Sequence, residues 1–232
     1  MREVQKLLPR EQLLYFGDSK NAPYGERSEK EIRDLTLTAA ERLLQGAKAL
    51  VLACNTATAV AAAELRARYP QTPIIGMEPA LCPALSLAPH PVILTLATAA
   101  TLRGEKFARL RQKCEKTATV TALSAPGIVR LVEMGMADSA EMDAYLKELL
   151  HPLPRRPDAV VLGCTHFPFA RNALRRVLGN VPLFDGAAGA AKELRRQLQA
   201  RDLLAPDTAV GGVSIFASSP RSLPLFLRLY DS

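Results

Sequence analysis

Seven short apolar runs punctuate the chain: QLLYFGDS (12–19), ALVLACNT (49–56), TPIIGMEP (72–79), HPVILTLAT (90–98), ATVTALSA (118–125), DAVVLGCT (158–165) and VPLFDG (181–186). Each stops at small or polar residues and reads as a buried parallel strand. The stretches between them carry helical periodicity: EKEIRDLTLTAAERLLQGA, TATAVAAAELRARY, RGEKFARLRQKCE, APGIVRLVEMG followed by SAEMDAYLKELL, PFARNALRRVLG and AAGAAKELRRQLQARDLL. Strand alternating with helix predicts a parallel α/β architecture, in which ligands sit beyond the carboxyl ends of the strands. The residues that carry chemistry are therefore expected where strands stop.

Composition narrows the function. With 48% hydrophobic and 23% charged residues the chain is not a disordered one, and 232 residues permit one large domain or two small ones, each with a core that needs no staples. No run reaches the roughly 18 apolar residues of a membrane span, and the opening MREVQKLLPR lacks the apolar core of a signal peptide, so a cytoplasmic location away from membranes is expected. The net charge of +7 is spread through amphipathic stretches, aromatics make up only 5%, and there is no Trp. Solvated helix faces explain this charge better than a nucleic-acid surface, and nucleic acid is not an expected partner. Cys54, Cys82, Cys114 and Cys164 form no CxxC pair, and with His90, His151 and His166 they lack zinc-site spacing. No metal is expected, and the thiols should be reduced.

Two strand ends resemble each other although they lie 110 residues apart: Val51-Leu52-Ala53-Cys54-Asn55-Thr56 and Val161-Leu162-Gly163-Cys164-Thr165-His166. An Ala-rich helix follows Cys54, and Pro168, suited to a first helical position, follows Cys164. Both thiols are thus expected at helix N-termini, where partial positive charge and free N–H groups favour a thiolate over a thiol of reference pKa about 8.5. The same N–H groups, with the neighbouring Asn and Thr side chains, suit a small substrate bearing a carboxylate. His166 reads as a proton partner or thiolate stabiliser, or else as a helix-capping histidine. Cys82 and Cys114 lack a polar strand-end setting and read as small buried hydrophobes. Two facing thiols suit removal of a proton from one face of a carbon and its return to the other; a cysteine hydrolase has no need of the second.

Further residues carry a resemblance. Gly17-Asp18-Ser19 leads to Ala22-Pro23-Tyr24-Gly25-Glu26-Arg27-Ser28; ACNTAT surrounds Cys54, GMEPA spans 76–80, LVEMG surrounds Glu133 and LGCTHFP surrounds Cys164. From residue 1 to about residue 190 the chain resembles the glutamate racemases of the cofactor-independent aspartate/glutamate racemase superfamily. The resemblance implies two pseudo-symmetric parallel α/β domains with the active site in the cleft between them. Residues 1–80 with 187–232 would carry Cys54, and residues 81–186 would carry Cys164. It implies interconversion of L- and D-glutamate for peptidoglycan synthesis, no cofactor and a homodimer. By position, Cys54 is implied as the base toward D-glutamate and Cys164 as the base toward L-glutamate, with Asp18, Glu133 and His166 assisting proton handling. Tyr24, Gly25, Asn55, Thr56, Thr98, Thr101 and Thr165 match the substrate cradle.

Family members open with a strand and a turn of the type Phe-Asp-Ser-Gly-Val-Gly-Gly, which is not found ahead of the helix at Met1. The start is accordingly expected to lie upstream, with an interrupted first sheet and weakened chemistry at Cys54 if it does not. Rival expectations are a racemase for aspartate or another amino acid, and an impaired chain retained as a binding or regulatory protein.

Overall fold

All seven apolar runs form strands, each shorter than its run, and just past two of the ladders Cys54 and Thr98 cap the helices that follow. The computed structural model describes residues 1–231. Ser232, the final residue of the span expected for the first domain, lies outside the described residues. The chain divides into two units, one formed by Met1–Met77 and the chain from Ala187 onward, the other by Glu78–Gly186.

The first unit contains α1 (Arg2–Leu7), β1 (Gln12–Gly17), α2 (Glu29–Leu44), β2 (Leu50–Leu52), α3 (Asn55–Arg68) and β3 (Ile74–Gly76). In the second unit come α4 (Leu81–Ala84), β4 (Val92–Ala97), α5 (Ala99–Arg103), α6 (Glu105–Cys114), β5 (Thr119–Ser124), α7 (Pro126–Glu133), α8 (Ala140–Leu150), β6 (Ala159–Gly163), α9 (Arg171–Leu178) and β7 (Leu183–Asp185). The chain then returns to the first unit with α10 (Ala187–Gln199), β8 (Gly212–Ala217) and α11 (Leu223–Asp231). Local chemistry sets the helix starts. Ser28 Oγ accepts from the Glu31 N–H at 3.3 Å while the Glu31 carboxylate accepts from the Ser28 N–H at 3.0 Å, a reciprocal box that stabilises the start of α2 by about 1 kcal/mol.

The second unit has one parallel sheet in the order β5-β4-β6-β7. Ala97 of β4 stands opposite both Ser124 of β5 and Gly163 of β6, so three strands end level with one another. The inner strand β6 is apolar throughout because both its faces are covered: Ala159, Val160, Val161 and Leu162 are at most 2% exposed. In the first unit the ladders are β1–β8 and β2–β3, both parallel, and no ladder among the described residues joins the two pairs. The apolar sides of α1 and α10 meet Ile75, Met77 and Val51 in one cluster, while α2 and α3 enclose Leu50, Leu52 and Ile74 in another.

One expectation is corrected and one strand is added. Cys114 is buried, but Cys82 is exposed on the short helix α4 and does not act as a core hydrophobe. The strand β8 was not signalled by the apolar runs, since its burial alternates between exposed and half-buried positions.

Candidate active site

In the first unit, Cys54 caps α3. Its backbone is extended (φ −157°, ψ 120°) and its Sγ accepts from the Ala57 N–H at 3.4 Å, so a thiol takes the place usually filled by a Ser or Asp oxygen. Asn55 and Thr56, in the first turn of the helix, are buried. Thr58 holds the turn in place: its Oγ1 donates to Leu52 O at 3.2 Å and accepts from the Met77 N–H at 3.0 Å, tying together the ends of β2 and β3.

Asp18 follows β1 directly. Its carboxylate accepts from Tyr24 OH at 2.7 Å and from Asn21 Nδ2 at 2.9 and 3.0 Å, with Ser218 as a further partner. Burial would raise its pKa, but these hydrogen bonds and the Arg27 charge outweigh it and hold the carboxyl below its ordinary value. The phenol of Tyr24 is pushed far up, first by burial and then by the Asp18 hydrogen bond and charge, with the Cys54 charge adding to them. Tyr24 therefore stays a neutral donor to Asp18, with the Cys54 charge also acting on its phenol. The short 3₁₀ turn Tyr24–Glu26, in which Gly25 is buried, packs on α3.

In the second unit, register places Thr98 and Cys164 at adjacent ends of β4 and β6, each one residue beyond the paired Ala97 and Gly163. Cys164 Sγ lies 3.8 Å from His166 Nδ1, and His166 Nε2 lies 2.7 Å from Glu133 Oε1. Burial disfavours charge on His166, yet the hydrogen bonds to Cys164 and Glu133, reinforced by their charges, push its pKa up to about 10. An imidazolium there donates from both nitrogens, one toward the thiol sulfur and one to the carboxylate.

Glu133 reaches this place because α7 stops there. Gly135, with φ 76°, allows its own N–H to bond Val132 O at 2.9 Å and the Met136 N–H to bond Leu131 O at 2.8 Å, ending the helix just past the carboxylate. A carboxylate at a helix C-terminus is disfavoured by the dipole, and the His166 cation offsets this. Thr98 caps α5, accepting from the Thr101 N–H at 3.2 Å and donating to Thr101 Oγ1 at 3.0 Å. Thr165 lies half-buried in the turn between Cys164 and His166.

The twelve expected residues thus fall into two groups: Asp18, Tyr24, Gly25, Cys54, Asn55 and Thr56 in one unit, Thr98, Thr101, Glu133, Cys164, Thr165 and His166 in the other. The expectation that both thiols sit at helix N-termini is half corrected. Cys164 precedes a 3₁₀ helix, Phe167–Ala170, and α9 begins only at Arg171, so His166 supplies the positive charge that a helix dipole supplies elsewhere. Asn21, Arg27, Thr58 and Ser218 were not anticipated. The first three lie within or beside the quoted motifs, whereas Ser218 sits in the stretch where the motifs fade. No group of three His, Cys, Asp or Glu side chains suited to a metal occurs among the described residues.

A family model for Asp/Glu/hydantoin racemases matches residues 1–194, and the chain belongs to this family. It is 41% identical to the glutamate racemase of Clostridium perfringens over 221 residues, which are 94% of this chain and 85% of that one. The crystal structure of glutamate racemase from Thermus thermophilus in complex with β-chloro-D-alanine superposes with a TM-score of 0.82 at 34% identity, covering 98% of this chain and 86% of that one. The Escherichia coli glutamate racemase in complex with L-glutamate and the activator UDP-MurNAc-Ala gives a TM-score of 0.82 at 29% identity, covering 99% and 88%. Membership makes the chain an isomerase of the racemase type.

Proposed function

We propose that this chain racemises glutamate with Cys54 and Cys164 as its two proton-transfer groups. The observation that supports the reading is that each thiol follows a strand end beside polar groups of its own: the charge of Cys54 acts on Tyr24, which donates to Asp18, and Cys164 faces His166, which is paired with Glu133. Racemisation requires one group to remove the α-proton and a second to deliver a proton to the opposite face. Protons balance, because one thiolate becomes a thiol as the other thiol becomes a thiolate. Reaction in the reverse direction starts from the exchanged pair of protonation states.

The assignment takes Cys164 as the base toward L-glutamate and Cys54 as the base toward D-glutamate. Asp18, His166 and Glu133 assist these transfers. Tyr24, Gly25, Asn55, Thr56, Thr98, Thr101 and Thr165 hold the substrate's carboxylates and amino group. Carbanionic charge at the α-carbon is met by preorganised donors, among them the N–H groups at the start of α3. The enzyme works in the cytoplasm, as a homodimer, and supplies D-glutamate for peptidoglycan; among the described residues no helix is long and apolar enough to cross a membrane. Sedimentation at equilibrium checks the dimer.

Deuterium incorporation at the α-carbon tests the reading. In heavy water, L- and D-glutamate should both exchange and interconvert, while L- and D-aspartate should do so at least about tenfold more slowly, since a mis-sized side chain loses on the order of 1–3 kcal/mol of transition-state binding. Exchange of aspartate at the glutamate rate would overturn the substrate assignment, and no exchange of any of the four would overturn the racemase reading.

A further inference from the structure

Two thiols play no part in the chemistry above. Cys82 is exposed on α4, and Cys114, at the last position of α6, is only 2% exposed. The Cα atoms of α4 and α6 come within 8 Å of one another, and Cys114 shares an apolar cluster with Leu81 and Ala84, which flank Cys82 closely on α4. The Cys82 side chain lies within hydrogen-bonding reach of the Cys114 thiol. Burial pushes the Cys114 thiol up, with the charge and hydrogen bond of Cys82 acting in the same direction. The pair is therefore asymmetric, with one sulfur open to reagents in water and the other protected.

We propose that Cys82 and Cys114 are a redox pair that closes to an intramolecular disulfide when the protein meets a low-molecular-weight disulfide. The Cys82 thiolate attacks one sulfur of the reagent, whose S–S bond breaks and releases the other half as a thiolate. Cys114, losing its proton, then attacks the Cys82 sulfur, and the second half of the reagent leaves. Two protein thiols are oxidised to one disulfide, and one small disulfide is reduced to two thiols. The bridge ties α4 to the end of α6 and encloses β4 and α5, the segment that carries Thr98 and Thr101. Neither Cys54 nor Cys164 takes part.

The experiment treats the whole chain with oxidised glutathione, quenches it by alkylation and maps the peptides by mass spectrometry without reduction. Expected are a mass two hydrogens below that of the chain once the alkyl groups on the two remaining thiols are subtracted, a Cys82 peptide linked to a Cys114 peptide, and an unfolding midpoint higher by about 5 °C or more that a reducing thiol reverses. In Cys114→Ala, glutathione should stay on Cys82; in Cys82→Ser, Cys114 should remain a free thiol and the midpoint should not move. The first variant reports on attack at Cys82 and the second on dependence of the bridge on it, so failure of one to fold leaves the other decisive. A wild-type chain that retains glutathione on Cys82, that resists modification there, or that links other cysteines instead would overturn the proposal.

Discussion

His166 Nε2 and Glu133 Oε1 stand 2.7 Å apart, joining the loop after β6 to the last residue of α7. With Cys164 on the other nitrogen, the ring is held charged to about pH 10, against an ordinary value of 6.5. A raised histidine pKa stabilises the fold in full below the unfolded value, near pH 6.5, and the contribution is lost as pH rises through about 10. Glu133→Gln keeps the shape and removes the charge. The variant should be less stable than wild type by about 1–2 kcal/mol at pH 6, with the gap shrinking toward pH 10. Its His166 resonances should titrate lower, and turnover should fall by about 10²-fold. Thermal unfolding across pH and imidazole titration by NMR check both; an unchanged His166 midpoint would show that the carboxylate does not hold the proton.

Asp18 presents the opposite sign. Its carboxyl sits below the ordinary value of 3.8, so its stabilising contribution is present above that pH and is lost as pH falls through the lower, folded value. Tyr24→Phe removes the 2.7 Å hydrogen bond. The Asp18 carboxyl should rise toward its ordinary value, and stability at pH 7 should fall by about 1 kcal/mol, discounted for a half-exposed group, with the difference vanishing in acid. Carbon NMR of the carboxylate and acid unfolding measure the two effects. A variant that unfolds in acid as wild type does would assign Tyr24 to substrate contact alone.

Much of this was legible because parallel strands advertise themselves. The run DAVVLGCT is apolar where β6 is covered on both faces and turns polar where the strand delivers Cys164, so fold and site share one signal. The same holds at Cys54, whose position before an Ala-rich helix marks it as a cap. What escaped depends on partners distant in sequence. Pairing of β8 with β1 joins residues 200 apart, and Ser218 meets Asp18 through that pairing, which no local periodicity encodes. His166 in place of a helix dipole at Cys164 escaped for another reason: Pro168 suits the start of a 3₁₀ turn as well as that of an α-helix. The exposure of Cys82 was hidden because residue type does not reveal which side of a four-residue helix faces water.

Replacing either strand-end thiol should abolish racemisation of both enantiomers, because the reaction needs one proton-transfer group on each face. Cys54→Ala and Cys164→Ala should each lose at least about 10²-fold in kcat, and the Ser variants should fail at neutral pH as well, since a hydroxyl is a far weaker acid than a thiol of reference pKa about 8.5. Circular dichroism followed with each enantiomer separately reads the rate. One single variant racemising at near wild-type speed would sink the two-base assignment.

Gly163 should prove the most sensitive glycine of the second half-site. A Cβ at this position would stand 2.9 Å from Ala97 Cβ and 2.9 Å from the Leu96 carbonyl oxygen, both on β4. That strand cannot swing away, because it is hydrogen-bonded to β5 on its other side. Gly163→Ala must therefore open the β4–β6 ladder at the end from which Thr98 and Cys164 project. The cost should be about 1–3 kcal/mol of stability, as for other overpacked interiors. Displacing the thiol by about 1 Å should cost about 10²-fold in kcat, with a smaller change in KM. Gly189, inside α10, is the matched control: nothing lies within 4 Å of its ideal Cβ, so Gly189→Ala should raise stability by about 0.5–1 kcal/mol through helix propensity and leave kcat alone. Denaturant unfolding and steady-state kinetics on the two variants decide the matter. Full activity and stability in Gly163→Ala would show that the ladder yields at its end and that the position of Cys164 does not depend on strand register.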